Sequence, residues 1–195
     1  MHDNLFSVPL FAIDVPNADG HRQALLQHVQ SLATSQPSAR RSNRGAWHSG
    51  PSLMQGRHPA MVGALRALMP AIETELADFH NNWKAQKLVP SSFWAMVMPP
   101  QGYCAPHQHV PSPWSAVYYL QVPSQPKQSE PLAGQLEFIN PLPAMATIGF
   151  ANRAIAPKVG QLVVFPGALV HHVHPHEGPE DRVALALNFA LTPKS

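Results

Sequence analysis

The sequence predicts a mainly β protein, an antiparallel sandwich or barrel behind a helical preface. Three observations carry this. The 195 residues include 22 prolines, roughly twice the usual share, which disfavours a helix bundle and suits short strands joined by constrained loops. From Ser92 on, short apolar runs are separated by turn signals, with no alternation of strands and helices. Histidines recur in two places, Pro106-His107-Gln108-His109-Val110-Pro111 and His171-His172-Val173-His174-Pro175. Two imidazoles one residue apart and a third far downstream describe a metal centre inside a β-barrel. One ligand pair lies near the end of a strand and the last ligand comes from a strand returning beside it.

In chain order, Leu5 to Ile13 is apolar and β-like and ends at Pro16-Asn17. A first helix follows, with Leu25, Val29 and Leu32 on one face and Pro37 beyond its end. Ser35 to Ser49 is polar and holds Arg40, Arg41 and Arg44; it reads as a solvated loop in preference to an anion site, with Trp47 as its anchor. A second helix begins near Pro59, a residue favoured in a first turn. Its packing face runs through Val62, Leu65, Leu68 or Met69, Ile72, Leu76, Phe79 and Trp83, and Pro70 should kink or split it. The strands expected next are Phe93 to Met98, Ser115 to Val122, Gln135 to Ile139, Arg153 to Ala156, Gln161 to Phe165 and Arg182 to Leu191. Gln121 to Pro131 reads as an exposed loop near the barrel mouth.

Composition narrows the function classes. The chain is long enough for one domain with a real core, and no linker or repeat divides it. A net charge of +2, scattered along the sequence, gives no nucleic-acid footprint. Only 12% of residues are charged, about half the usual fraction, which leans towards a homo-oligomer with a hidden interface. Cys104 is the one cysteine; it reads as a buried small residue with no base arranged to activate it. No run is apolar enough to span a membrane and the start lacks a signal-peptide pattern, so the expected location is cytoplasmic, with no membrane partner.

If the chain is extended around His107 and His109, both side chains lie on one side and can hold one ion, with Gln108 facing away. His171 and His172 would point in opposite directions on a strand, and either could be the third ligand. His172, His174 and His176 otherwise read as rim or supporting residues. On the last strand, Arg182, Ala184, Ala186 and Asn188 share one face and Val183, Leu185, Leu187 and Phe189 the other. The second is a packing face. The first offers a guanidinium, an amide and space, as expected where a strand lines a cavity for an acid, since guanidinium grips carboxylate through two parallel hydrogen bonds. The alternative is an arginine paired with Asp181 or Glu180. Tyr119 could reach the same acid or could be a core tyrosine.

The string from Pro106 to Leu120 resembles the metal-binding segment of Fe(II)/2-oxoglutarate-dependent oxygenases. Gly160 to Pro166, His171 to Pro175 and Arg182 to Phe189 resemble the family's later segments in the same order. Ser42-Asn43 and Trp94 match a bacterial and phage branch, and the resemblance covers roughly residues 40 to 191. It implies a double-stranded β-helix, a jelly-roll or cupin-like barrel. A catalytic core of about residues 91–192 would be carried on an N-terminal strand and supporting helices of about 1–90, all within one domain, 1–195. It implies an iron centre on His107, His109 and His171, since His171 heads the His-x-Val-x-Pro pattern. Arg182 would hold the distal carboxylate of the cosubstrate 2-oxoglutarate with help from Tyr119, and Asn188 belongs to the same cofactor-facing strand. The implied reaction is hydroxylation of a small molecule or protein side chain, with release of succinate and CO2. His109 stands where the broad superfamily has a carboxylate, which makes the site one unit more positive. It also admits a three-histidine dioxygenase or zinc enzyme that uses no 2-oxoglutarate, or a non-catalytic metal-binding jelly-roll. Glu137 is the nearest carboxylate that could replace His109 as ligand, and the reading goes against it.

Overall fold

The structure is a computed structural model, and it describes residues 7–50, 53, 58–77, 86–126, 129–142 and 151–194. The chain runs β1 (Phe11–Asp14), α1 (Ala18–Ser35), β2 (Asn43–Arg44), β3 (Trp47–His48), α2 (Pro59–Leu76), β4 (Gln86–Met98) and β5 (Tyr103–His107). It continues with β6 (Trp114–Gln121), β7 (Leu136–Phe138), β8 (Arg153–Ile155), β9 (Gln161–Pro166), β10 (His171–Val173) and β11 (Arg182–Pro193). Two antiparallel sheets form, a six-stranded one in the order β1-β9-β6-β11-β4-β3 and a five-stranded one in the order β2-β5-β10-β7-β8. This is the expected jelly-roll class.

The period-two pattern of β11 decides the layering. Val183, Leu185, Leu187 and Phe189 face the helices and join Leu25, Val29, Leu68, Ile72, Phe93 and Tyr118 in one buried cluster. Ala184 faces the other way, into a second cluster with Trp94, Met96, Met98, Tyr119, Phe138, Phe165 and Val173. That second cluster fills the space between the sheets. The helices therefore stiffen the six-stranded sheet from outside, and the chemistry-bearing side chains line its inside.

The N-terminal segment is built into both sheets. β1 pairs with β9, β3 with β4, and β2 with β5. The loop expected over Ser35 to Ser49 thus carries two short strands, and Trp47 anchors it by donating its indole N–H to the Gln36 carbonyl. Pro70 neither kinks α2 into two helices nor ends it; the helix is continuous from Pro59 to Leu76. Pro70 lies on the exposed face, where water can serve the carbonyl its ring releases. The packing face of α2 is Ala60, Met61, Ala64, Leu68, Ile72 and Leu76. The small residues let the helix approach closely and leave Val62 and Leu65 half-buried. Phe79 and Trp83 lie outside the described residues. β4 begins at Gln86, well before Phe93, because it follows β11 along its whole length, Pro193 opposite Gln86.

Candidate metal centre and active site

β5 ends on His107, directly opposite His171 at the start of β10. Both rings point into the space between the sheets, with centroids 4.4 Å apart. His109 reaches them by another route than expected. The strand stops at His107, so alternation along an extended chain does not apply. Instead the His109 amide donates to the Gly167 carbonyl at 2.7 Å, and its own carbonyl accepts from Ser112 at 2.8 Å. That turn swings the His109 ring to 5.0 Å from both of the others. Gly167 makes the approach possible, because a Cβ there would collide with the Ser112 carbonyl oxygen.

One ligand-type nitrogen from each of His107, His109 and His171 lies within 4.8 Å of the others. The Nδ1 atoms of His107 and His171 each lie 2.8 Å from a backbone carbonyl, of Ala105 and Leu169 respectively. A carbonyl only accepts, so Nδ1 carries the proton and Nε2 keeps its lone pair for a metal. Burial pushes His171 down to about 3 and His109 down to about 4, and lowers His107 as well. All three are therefore neutral at physiological pH, the state that binds metal. Phe138 and Phe165 stand 5.8 and 4.7 Å from the His171 ring and shield it from water. His172 points the opposite way, towards Glu137 on the outside of the sheet.

Arg182 is 2% exposed, and its Nε and Nη2 have no hydrogen-bond partner among the described residues. The expected alternative, pairing with Asp181 or Glu180, does not occur. Glu180 instead accepts two hydrogen bonds from Ser124. The guanidinium carbon sits 5.0 Å from the ring centre of Tyr119, whose buried hydroxyl is likewise unpartnered. Burial pushes the Tyr119 phenol up, and Arg182 opposes that by its charge and as a neighbouring donor to the phenol oxygen, which leaves the hydroxyl's own proton free for an acceptor. An unpaired buried guanidinium is costly. With a phenol beside it, the arrangement fits a carboxylate, which would accept from every one of these orphaned donors.

Asn188 does not share that place. It lies six residues further along β11, about 20 Å at the usual strand rise of about 3.3 Å per residue, and accepts from the Ser115 hydroxyl at 2.7 Å. One small diacid cannot span the two positions. The loop expected over Gln121 to Pro131 is placed at two of its described residues. Ser124 bonds to Glu180 and Gln125 to the Glu177 amide, near the Arg182 end of β11. Cys104 is buried beside Met96, its thiol pushed up to about 11 by burial, which fits the inert reading.

A cavity of about 280 Å3 opens onto His107 and His109 and is also lined by Arg41, Ser42, His48, Ser92, Trp94 and Gln108. A second hollow, of about 860 Å3, is lined by Arg40, Arg41, Asn43, Arg44 and Trp47. Arg41 borders both. From sequence alone this arginine run reads as a solvated loop, and His48 carries no local signal. The only available signal was the strand pairing of Trp47 and His48 with β4, which local patterning does not reveal. His48 stacks on Trp94 and is pushed down to about 4, by burial first and by Arg41 next.

Comparison with known families bears directly on this site. The family described as "Putative 2OG-Fe(II) oxygenase" matches residues 92–188, a span that contains all three imidazoles, Tyr119 and Arg182. The chain belongs to the 2-oxoglutarate/Fe(II) oxygenases. Its fold is shared with a Pseudomonas putida prolyl-4-hydroxylase at 19% identity and a TM-score of 0.60, covering 94% of this chain and 92% of that one. HygX from Streptomyces hygroscopicus, solved with nickel and 2-oxoglutarate, is similar at 12% identity and 0.65, covering 94% and 83%. The epimerase SnoN, solved with Fe3+, α-ketoglutarate and nogalamycin RO, is similar at 12% identity and 0.70, covering 96% and 82%. No curated protein matches by sequence. No helix among the described residues is long and apolar enough to cross a membrane.

Proposed function

We propose that this oxygenase hydroxylates its substrate at an iron ion held by His107, His109 and His171, with 2-oxoglutarate anchored through Arg182 and Tyr119. The observation that supports it most strongly is the pair of orphaned donor groups. Arg182 Nε and Nη2 and the Tyr119 hydroxyl are buried and have no hydrogen-bond partner of their own among the described residues, and Tyr119 lies in the inter-sheet cluster behind the imidazoles. Bound iron and cosubstrate supply the oxidising chemistry, with succinate and CO2 as co-products.

The rest falls to the chain's own side chains. The Ala105 and Leu169 carbonyls fix the tautomers of His107 and His171, so both present Nε2 inward. Arg182 fixes one end of the acid and so sets where its other end must lie, which converts binding energy into orientation. Phe138 and Phe165 crowd His171 and keep water from the inner face. Three neutral ligands leave the centre one unit more positive than two imidazoles and a carboxylate would, which strengthens its hold on a dianion. Substrate has access through the cavity lined by His48, Ser92 and Trp94. Its class is a small molecule or a peptide side chain; a prolyl hydroxylase from Trichoplax adhaerens of the same fold was solved with a peptide fragment of hypoxia inducible factor.

The test is product analysis with iron-loaded protein, 2-oxoglutarate and dioxygen, without added substrate. Slow uncoupled formation of succinate matched by oxygen uptake is expected, and it should vanish in Arg182→Ala. Iron-loaded wild-type protein that forms no succinate above the Arg182→Ala background contradicts the proposal.

A further inference from the structure

We propose that Glu137, His172 and His174 form a second metal site, for a divalent ion of the zinc class, on the outer face of the five-stranded sheet. The inner imidazoles and this trio are the two groups among the described residues whose ligand atoms lie within 4.8 Å of one another. The inference rests on the outer cluster alone and stands whether or not the inner centre uses 2-oxoglutarate.

Strand register builds the site. His172 on β10 is directly opposite Glu137 on β7, and His174, just past the end of β10, is held beside β7 by its amide donating to the Gln135 carbonyl at 3.0 Å. Both Nε2 atoms converge on one carboxylate oxygen, His172 at 3.1 Å and His174 at 2.6 Å from Glu137 Oε2. Zinc bonds to imidazole nitrogen and carboxylate oxygen are about 2.0–2.2 Å, so tetrahedral ligands sit about 3.3 Å apart. His172 already stands near that spacing from the oxygen, and His174 has to open by well under 1 Å. The imidazole centroids are 4.6 Å apart, close enough for both rings to meet one ion.

The carboxylate is itself supported. The Asn152 side chain hydrogen-bonds to Glu137, and its carbonyl oxygen accepts from the Asn140 amide at 2.9 Å, which turns its N–H groups towards the carboxylate. Metal-binding carboxylates are held in this way. The side chains of Glu137, His172 and His174 are 13%, 22% and 24% exposed, so an ion can enter from solvent and keep a water as its fourth ligand. Two imidazoles and one carboxylate suit zinc, and also nickel or copper, better than magnesium or calcium. The bound ion would clamp β7 to β10, the strand whose preceding residue is the inward-facing His171.

The experiment titrates zinc into the metal-free full chain by calorimetry, against a competing chromophoric chelator. Two zinc ions per wild-type chain are expected, one in the His107→Ala/His109→Ala variant and one in the His172→Ala/His174→Ala variant. Glu137→Gln keeps the side chain's size and guards against misfolding; it should weaken only the outer event, by about 10- to 100-fold. Circular dichroism checks that each variant is folded. A single wild-type zinc that persists in folded His172→Ala/His174→Ala, or two zinc ions in that variant, overturns the proposal. Failure of the oxygenase reading would show separately, as absent succinate with zinc stoichiometry unchanged.

Discussion

The two faces of β10 hold chemically different histidine clusters one residue apart. Inward, His171 meets His107 and His109 among aromatic rings, a trio without a carboxylate among the described residues, in which His107 and His171 are neutral and tautomer-fixed. Outward, His172 and His174 close on Glu137. The inner trio is kept apart by packing and, at His107 and His171, by backbone carbonyls that occupy Nδ1. The outer trio is drawn together by its own carboxylate. The contrast shows that ligand identity alone does not locate an oxygenase centre. The outer set has the two-histidine, one-carboxylate composition usual for non-haem iron, yet Arg182 and Tyr119, the groups that fit an acid, lie in the inner space. Preorganisation and the neighbouring Arg182 and Tyr119 donors are what favour the inner trio in the proposed assignment.

The largest expected effect separates neighbours. His171→Ala should abolish iron-dependent succinate formation, and His172→Ala should preserve it, as read by product analysis on iron-loaded protein. Equal losses in both would erase the distinction between the faces. A smaller effect follows from Gly167→Ala, which pushes a methyl group into the Ser112 carbonyl and displaces the turn holding His109. Iron affinity should fall by about 10- to 100-fold, measured by chelator competition, with the outer zinc event unchanged. His109→Asp should retain iron but bind 2-oxoglutarate several-fold more weakly, because the added negative charge repels the dianion; tighter cosubstrate binding would contradict the charge argument.

A separate effect, on folding and not on binding, is pH dependence in the metal-free protein. Burial holds His48 and His109 at about 4 and His171 at about 3 when folded, whereas the unfolded chain titrates near about 6.5. Between these values the unfolded state carries more protons, so folding stability is full above about pH 6.5 and falls as pH drops towards about 4. Denaturant melts should show a loss on the order of a few kcal/mol, reduced in His48→Gln. Stability unchanged across that range would mean the inner imidazoles are more hydrated than their packing implies.

Much of this was legible in the sequence because the signals were local. Alternation along Arg182 to Phe189 identified both faces of β11, and the His-x-Val-x-Pro pattern distinguished His171 from His172. What escaped depends on contacts between distant segments. The position of His109 comes from a hydrogen bond to Gly167, which alternation along an extended strand does not describe. Asn188 stands well along β11 from Arg182, a separation that sharing a face does not reveal. The Glu137 cluster was invisible because it needs the register of β7 against β10. The reach of Arg41 into both hollows likewise needs β2 and β3 docked on separate sheets.

The most direct test of the central claim is anaerobic titration of Fe(II)-loaded protein with 2-oxoglutarate, following the weak visible band of metal-chelated cosubstrate. The account predicts a saturable band in the wild type and an affinity at least about 30-fold lower in Arg182→Ala, the loss expected when one partner of a buried charge pair is removed. Iron bound with no band, or a band that saturates equally in Arg182→Ala, would contradict it.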